Sequence, residues 1–215
     1  MIVDDRIVTF LHSLEQSNGE LCDSIEEYAH KNYVPIIRKE TESFLKVMIM
    51  IKNPRRILEI GTAIGYSAIL MSRVMPQDCS IVTIENYDKR IPVARENIMK
   101  AGLADRIELK EGDALSVIPQ LDGMFDFVFI DAAKGQYMNY LNLLMDKIPE
   151  GGVIISDNVL QEGEIVKSRY GIERRNRTIH SRMREYLYEL KHMPQLETTI
   201  VPIGDGITVS VKKGI

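Results

Sequence analysis

The sequence predicts an α/β fold, and three observations support that prediction. From residue 52 onward, short apolar runs alternate with segments of helical periodicity, which is typical of a mostly parallel sheet with helical crossovers. The first 51 residues carry helical patterns alone. Near the C-terminal end, the turn 204–206 (Gly-Asp-Gly) separates two apolar runs and predicts a hairpin, so the last strand should be antiparallel.

One domain over 1–215 is expected at this length, with a helical cap at 1–51 and an α/β core at 52–215. The cap helices are expected at 4–16, 19–31 and 38–51. Asp4 and Asn18 stand where N-capping side chains belong in the first two, and Pro54 ends the third.

The core segments follow in alternation, with strands of apolar and β-branched residues and helices of apolar residues three or four apart. The expected strands are 57–60, 80–84, 107–109, 127–130, 152–155, 197–201 and 207–212. The expected helices are 66–74, 88–101, 114–119, 136–147 and 173–191.

Composition excludes several classes of protein. Hydrophobic residues make up 45% and charged residues 27%, as in ordinary globular domains. No apolar run reaches the roughly 18 residues that a membrane helix needs, and the first residues are acidic, unlike a signal peptide. Cys22 and Cys79 are too few for a disulfide framework or a cysteine metal site, so both should be buried thiols. A reducing, cytoplasmic location fits these features.

Acidic and amide side chains follow two of the expected strands. Asp131 and Lys134 come after strand 127–130, and the pair Asp157-Asn158 comes after strand 152–155. If both strands belong to one parallel sheet, these side chains meet at its carboxyl edge, where open α/β folds place their chemistry. Carboxylate and amide oxygens suit a hard cation such as Mg²⁺. Lys134 is then a candidate base.

A glycine-rich turn follows the first expected strand. Residues 59–67 read Glu-Ile-Gly-Thr-Ala-Ile-Gly-Tyr-Ser, with glycine spacing unlike the dinucleotide motif or the phosphate P-loop. Glu85 ends the second strand, where a carboxylate can bind both hydroxyls of a ribose. Asp113 follows the third strand and is positioned to face an adenine edge. Together these features indicate an adenosine ligand without a pyrophosphate.

The order of these blocks resembles the class I S-adenosylmethionine-dependent O-methyltransferases, and most closely their metal-dependent branch, which includes the catechol and caffeoyl-CoA enzymes. The resemblance runs from about residue 35 to the C-terminus. It implies a Rossmann-like, seven-stranded methyltransferase sheet with helices on both faces. It also implies methyl transfer from S-adenosylmethionine to a hydroxyl oxygen, with a divalent cation such as Mg²⁺ positioning and activating that hydroxyl.

The resemblance assigns roles to individual residues. Glu59 and Gly61 would line the methionine part of the cofactor, and Ser67 would contact its carboxylate. Asp131 would lie near the methionine amino group, and together with Lys134 it forms the expected catalytic pair. The implied cofactor-binding residues are Ile37, Glu59, Gly61, Ser67, Glu85, Asp113, Ala114 and Asp131. The implied metal ligands are Asp131, Asp157 and Asn158.

The segment after Asn158 is strongly basic. Residues 167–184 contain seven Lys or Arg and one acid, although the whole chain has a net charge of −4. On the expected helix 173–191, an apolar stripe is formed by Ile179, Met183, Leu187 and Leu190. The opposite arc carries Arg174, Arg175, Arg177, Arg182 and Arg184 and faces solvent or a partner such as an RNA backbone. His180 and His192 are expected on the exposed polar face.

This tail also resembles a bacterial subgroup of the family that methylates 5-hydroxyuridine at the wobble position of tRNA. The resemblance rests on the sequence Arg-Asn-Arg-Thr at 175–178, the basic helix after it, and the sequence Pro-Ile-Gly-Asp-Gly-Ile at 202–207. It implies that the 5-hydroxyl and the neighbouring uracil O4 bind the cation as a catechol does, and that the product is 5-methoxyuridine. Family resemblance alone also suggests a homodimer.

Two other functions stay open. A small-molecule O-methyltransferase acting on catechols or related phenols would use the same metal and cofactor groups. The chain has no tryptophan, and the segment after Asn158 offers no obvious aromatic clamp for a flat phenol, which counts against that function. A non-enzymatic nucleoside-binding module is disfavoured by the metal triad, since binding alone needs no metal.

Overall fold

The computed structural model describes residues 3–214, and its strands form one seven-stranded sheet. The strands are β1 Arg56–Ile60, β2 Ser80–Glu85, β3 Ile107–Glu111, β4 Phe127–Ile130, β5 Val153–Ser156, β6 Leu196–Val201 and β7 Ile207–Lys212. Their order in the sheet is β3-β2-β1-β4-β5-β7-β6. Strands β1 to β5 pair in parallel, and β7 is antiparallel to both β5 and β6. The expected sheet and closing hairpin are confirmed.

Helices precede the sheet and connect its strands. They are α1 Asp5–Leu14, α2 Glu20–Lys31, α3 Lys39–Lys52, α4 Tyr66–Ser72, α5 Ile91–Lys100, α6 Ala114–Val117, α7 Tyr137–Leu144 and α8 Arg177–His192. Short 3₁₀ turns extend α6 and α7 and lead into α8. Within residues 3–214, no helix has the length and apolarity needed to cross a membrane.

The first two helices begin differently. The Asp4 side chain accepts a hydrogen bond from the Arg6 amide, so the expected N-cap of α1 is confirmed. Asn18 was expected to cap α2, but that prediction is wrong because Gly19 occupies the cap position. The Asn18 side chain is instead buried and donates to Glu42 at 2.8 Å, which ties the start of α2 to α3.

The parallel strands are covered on both faces, as their continuous apolar runs require. In β4, Phe127 and Phe129 point into one core layer, and Val128 and Ile130 point into the other. The first layer packs against α2, α3 and α4. The second packs against α7 and α8. Cys22 and Cys79 are free and buried in the first layer, which confirms the reading of both as thiols.

Helix α8 packs on a stripe that differs from the expected one. Met183 and Leu190 are buried as predicted, but Ile179 is 39% exposed. His180 takes the core position instead and is only 2% exposed, so its expected place on the polar face was wrong. The helix is rotated so that Tyr186 also faces inward, where its hydroxyl and that of Ser156 lie 2.6 Å apart.

Strands β1 and β4 approach closely at the topological switch point of the sheet. Gly61 directly follows β1 and has a positive φ of 101°. A Cβ at this position would overlap the main-chain carbonyl oxygen of Asp131, which directly follows β4. Glycine is therefore required here both for conformation and for space.

We expect Gly61→Ala to lower the free energy of unfolding by about 3 kcal/mol or more, because it adds backbone strain to a steric overlap. Gly102→Ala is the matched control, since Gly102 also has a positive φ of 66° but has nothing within 4 Å of an added Cβ. It should cost about 1 kcal/mol. Urea denaturation measures both values, and equal losses would contradict the close-approach argument.

Candidate active site

The main cavity opens at the carboxyl ends of β1, β4 and β5, where the sheet order reverses. Its volume is about 510 Å³, which is sufficient for a nucleoside-sized ligand. Most of the residues singled out from the sequence line this one cavity. They are Ile37, Gly61, Ser67, Glu85, Ala114, Asp131, Lys134, Asp157 and Asn158.

Three oxygen-bearing side chains follow β4 and β5. Ile130 and Ser156 are paired across the two parallel strands, so Asp131 and Asp157 leave the sheet side by side. Asn158 comes next, with a positive φ of 57°, a conformation that asparagine tolerates better than most residues. Its main-chain N–H donates to Asp157 Oδ1 at 2.7 Å. The hydroxyl of Tyr137 donates to the main-chain carbonyl of Asp157 at 3.0 Å, which fixes this corner.

The environment of the Asp131 and Asp157 carboxyl groups disfavours their charged forms. Burial raises the pKa of Asp131, and Lys134 opposes that rise. Burial is the largest cause that raises the pKa of Asp157, and the charges of Asp131 and Asp205 raise it further. The main-chain amide of Asn158 and the charge of Lys134 lower it. A cation between the two carboxyl groups would relieve this repulsion, and an oxygen-only donor set fits a hard divalent cation. Among residues 3–214, no three His, Cys, Asp or Glu side chains converge, so the Asn158 carboxamide would be the third protein donor.

Lys134 has a partner that the sequence did not indicate. Its ammonium lies 3.6 Å from the carboxylate of Asp205, which is almost fully buried. Asp205 also accepts a hydrogen bond from the Glu162 amide. The turn 204–206 therefore does more than connect β6 to β7, because it places a negative charge beside the candidate base. A hairpin signal in the sequence carries no indication of that contact.

The acid at the end of β2 is held rigidly. One oxygen of Glu85 accepts from the Ala63 amide at 2.7 Å, and the other accepts from the amides of Asn86 and Tyr87, each at 2.9 Å. Two carboxylate oxygens offer about four acceptor positions, so capacity remains for a ligand hydroxyl. The hydrogen bond from Ala63 therefore fixes Glu85, the candidate ribose-binding residue, to the glycine turn.

Two predicted cofactor residues do not line the cavity. The Asp113 side chain is exposed and accepts from the Leu115 amide as the N-cap of α6, while its neighbours Gly112 and Ala114 form the cavity wall. Glu59 is fully buried behind the wall.

Glu59 holds the cavity wall from behind. Its carboxylate accepts hydrogen bonds from the hydroxyls of Ser67 and Thr83, each at 2.5 Å. The hydroxyl of Thr62 lies 2.6 Å from that of Thr83. Ser67 and Thr62 line the cavity, so Glu59 acts on the site by orienting them.

Several cavity residues were missed from the sequence. Tyr66 opens α4, and its hydroxyl donates to Glu42 at 2.9 Å. The Arg90 guanidinium lies 5.1 Å from the ring centre of Tyr87, and both line the cavity beside Glu85. Arg38 also lines the cavity, and its guanidinium lies 3.5 Å from the carboxylate of Glu162. Tyr66 belongs to the glycine-turn motif and could have been found there, whereas the others carry no motif signal.

The five candidate RNA-binding arginines divide into two groups. Three donate to main-chain carbonyls and hold loops: Arg177 to Ile172 and Tyr170, Arg182 to Gly135, and Arg184 to Ile165. The other two precede α8. Arg175 pairs with Glu173 at 2.8 Å, and both Arg174 and Arg175 are exposed.

The sheet order, the glycine turn after β1, the acid after β2 and the oxygen cluster after β4 and β5 define a class of protein. It is a Rossmann-like methyltransferase. The model of one family, described as O-methyltransferase, matches residues 12–213, and the chain belongs to that family. The protein is therefore an S-adenosylmethionine-dependent O-methyltransferase.

Known relatives agree with this assignment. Caffeoyl-CoA O-methyltransferase 1 of Eucalyptus globulus is 35% identical over 179 residues, covering 77% of this chain and 70% of that protein. The O-methyltransferase from Bacillus cereus in complex with SAH superposes with a TM-score of 0.86 at 27% identity, covering 97% of each chain. The SAH-bound Podospora anserina methyltransferase PaMTH1 superposes with a TM-score of 0.88 at 25% identity, covering 98% of this chain and 95% of that one.

The buried Glu59 predicts a pH-dependent stability. Burial raises the pKa of Glu59 from 4.5 to about 7. A raised carboxyl pKa means that the folded protein favours the protonated form. The contribution of Glu59 to the free energy of unfolding is therefore complete below pH 4.5 and is lost as pH rises to about 7. The loss is on the order of 3 kcal/mol, and Glu59→Gln should not show it.

Urea unfolding of the cofactor-free protein at pH 5 and pH 8 measures this effect. The difference in unfolding free energy, wild type minus Glu59→Gln, should be smaller at pH 8 than at pH 5. Glu27→Gln is the matched control, since Glu27 is exposed. A wild-type-minus-variant difference that is the same at both values would mean that Glu59 does not titrate between them.

Proposed function

We propose that this enzyme methylates one of two adjacent oxygens on a planar ring, with a divalent cation held by Asp131, Asp157 and Asn158. The observation that carries the proposal is the oxygen-only donor set beside the glycine turn, at the switch point of the sheet. Two neighbouring oxygens on the acceptor would complete the coordination of a hard cation better than one.

The chain's own residues mainly orient the reactants. The turn 61–67 and Glu85 hold the adenosine and methionine parts of the cofactor, and their mutual hydrogen bonds make that half of the site rigid. Ile37 is buried and lines the cavity from the N-terminal side, where it covers the reacting groups and excludes water. Fixing the methyl donor and the acceptor oxygen in line supplies a large part of the rate.

Proton removal is assigned to Lys134. When bound, the divalent cation supplies Lewis-acid stabilisation of the ionised acceptor hydroxyl. In its neutral amine form, Lys134 Nζ takes the proton from that hydroxyl, and Asp205 at 3.6 Å stabilises the ammonium that this transfer restores. Asp205 is in turn fixed by the Glu162 amide, so the base cannot easily turn away from the acceptor.

A small catechol-type phenol is the acceptor that the relatives favour. The match to the Eucalyptus enzyme, whose name specifies caffeoyl-CoA, supports methylation of a phenolic hydroxyl with a second hydroxyl beside it. Such a ring fits a cavity of about 510 Å³ together with the cofactor, provided that its side chain extends toward solvent.

The wobble 5-hydroxyuridine of tRNA is a second candidate acceptor. It presents the same pair of adjacent oxygens, the 5-hydroxyl and uracil O4. Two observations support it. The acceptor wall formed by 35–38, 131–134 and 157–158 carries no aromatic side chain to clamp a free phenol. The exposed Arg174 and Arg175 lie in the basic segment 167–184, which could contact phosphates.

The cation is tested with Asp157→Ala. Turnover should fall by more than the roughly 100-fold typical for loss of an outer-sphere partner, because this change removes a ligand. Cofactor affinity, measured by calorimetry, should stay close to wild type. Mg²⁺ should raise the melting temperature of the wild type but not that of the variant.

Asp105→Ala is the matched control, since Asp105 is an exposed aspartate that does not line the cavity. It should keep turnover, cofactor affinity and the response to Mg²⁺. Wild-type turnover that persists in excess chelator would refute the role of the cation.

The acceptor is tested by offering catechol, phenol and tRNA with labelled S-adenosylmethionine. Catechol should be methylated and phenol should not, because phenol has only one oxygen for the cation. If tRNA is the acceptor, tRNA from a strain lacking the gene should contain more 5-hydroxyuridine and less 5-methoxyuridine, and the purified enzyme should restore the latter. Equal methylation of catechol and phenol would contradict the two-oxygen proposal, and an unchanged nucleoside profile would exclude the tRNA acceptor.

A further inference from the structure

A second cavity, of about 540 Å³, lies between segment 166–169 and the first half of α8. We call it the His180 cavity. Its polar lining residues are Lys167, Ser168, Arg169, His180, Ser181 and Arg184. None of them lines the main cavity, so the two spaces have separate walls.

His180 is the unusual member of this lining. It is 2% exposed, and within residues 3–214 neither ring nitrogen has a hydrogen-bond partner. An imidazole carries at least one N–H donor in every tautomer and protonation state. Buried polar groups are nearly always paired, and those that are not require an explanation. Because His180 is one of the residues that line the cavity, a ligand that accepts hydrogen bonds from its ring would provide one.

The charges around the ring indicate which ligand. Lys167, Arg169 and Arg184 bring three positive charges to the lining. The acid in contact with them is Glu164, which lies 3.3 Å from Lys167. Glu185, beside Arg184 in the chain, is exposed and does not line the cavity. The cavity therefore keeps a surplus of positive charge.

The lining also includes hydrogen-bond donors. Arg184 Nη1 donates to the carbonyl of Ile165 at 2.8 Å, which fixes its guanidinium against the segment while leaving other N–H groups free. Ser168 and Ser181 add hydroxyls from the two opposite walls. An anion with several acceptor oxygens matches such a set of donors, and phosphate is the common biological one.

We propose that the His180 cavity binds a phosphate group, held by the His180 ring and the cationic side chains of Lys167, Arg169 and Arg184. The phosphate could belong to a small phosphorylated molecule or to an RNA backbone. The RNA source rests on the tRNA acceptor of the proposed function, whereas phosphate binding itself does not.

The test titrates inorganic phosphate into the cofactor-free protein and follows the histidine ring signals by ¹⁵N NMR. The His180 signal should shift saturably, and sodium chloride at matched ionic strength should not reproduce the shift. Arg169→Ala and His180→Leu should each weaken phosphate binding, measured by calorimetry, by about tenfold or more. His180→Leu should keep its melting temperature, because an apolar side chain replaces an unpaired polar one.

His192→Leu is the matched control, since His192 lies at the exposed end of the same helix. It should bind phosphate like wild type. The proposal is overturned if phosphate causes no saturable shift of His180, or if both cavity variants bind phosphate as wild type does. Methyl transfer to catechol is assayed separately, so failure here leaves the proposed function standing, and the reverse also holds.

A second arm identifies the source of the phosphate once binding is established. Affinity for a tRNA anticodon stem-loop is measured against salt for wild type and for Arg169→Ala. A weaker affinity and a shallower salt slope in the variant assign the site to an RNA backbone. An unchanged RNA affinity, with free phosphate binding lost, assigns it to a small phosphorylated molecule. Both results support the cavity as a phosphate site.

Discussion

The close approach of β1 and β4 at Gly61 and Asp131 is the constraint on which the rest of the site depends. The two strands are neighbours in the sheet, but their connections leave in different directions, so a cleft opens between the chain ends. Because Gly61 has no side chain, the glycine turn can pass directly over the main-chain carbonyl of Asp131. The glycine turn and the Asp131 corner therefore share a wall, so in the proposed function the methyl donor and the acceptor oxygen would be close without any movement of domains.

The same closeness concentrates negative charge. Burial raises the pKa of Glu59, Asp131 and Asp157, and Asp131 raises that of both other acids. A stable core would not place three carboxyl groups at one edge of a sheet. In the proposed function, a cation and the cationic cofactor would compensate this charge when they bind. The free energy that the unliganded fold loses to this repulsion would then be recovered as binding energy.

Sequence patterns predicted backbone positions better than the destinations of side chains. Strand β4 was located at its observed bounds, and the five blocks of the site were placed at the correct strand ends, because apolar periodicity and glycine spacing depend on the backbone. Glu59 and Asp113 belong to those blocks, yet neither lines the cavity. The Glu59 side chain lies behind the cavity wall, and the Asp113 side chain caps α6. Asp205 approaches Lys134 from the far end of the chain, and no local pattern reports such a contact. The stripe expected on α8 was chosen from apolar residues alone, so it included the exposed Ile179 and missed the buried His180.

The arginines of α8 show how a basic segment can serve both the fold and a partner. Arg182 holds the carbonyl of Gly135, the residue after Lys134, and Arg184 holds that of Ile165. These side chains fix the loops that border the two cavities, so their charge is partly committed to the fold. Arg182 and Arg184 are nevertheless exposed, and Lys167, Arg169, Arg174 and Arg175 add further exposed charge before the helix begins. An anionic partner would therefore be attracted to the basic segment 167–184 as a whole, including the first half of α8. Lys167 and Arg169 belong both to this segment and to the lining of the His180 cavity, so an anionic partner bound in that cavity would contact the segment as well.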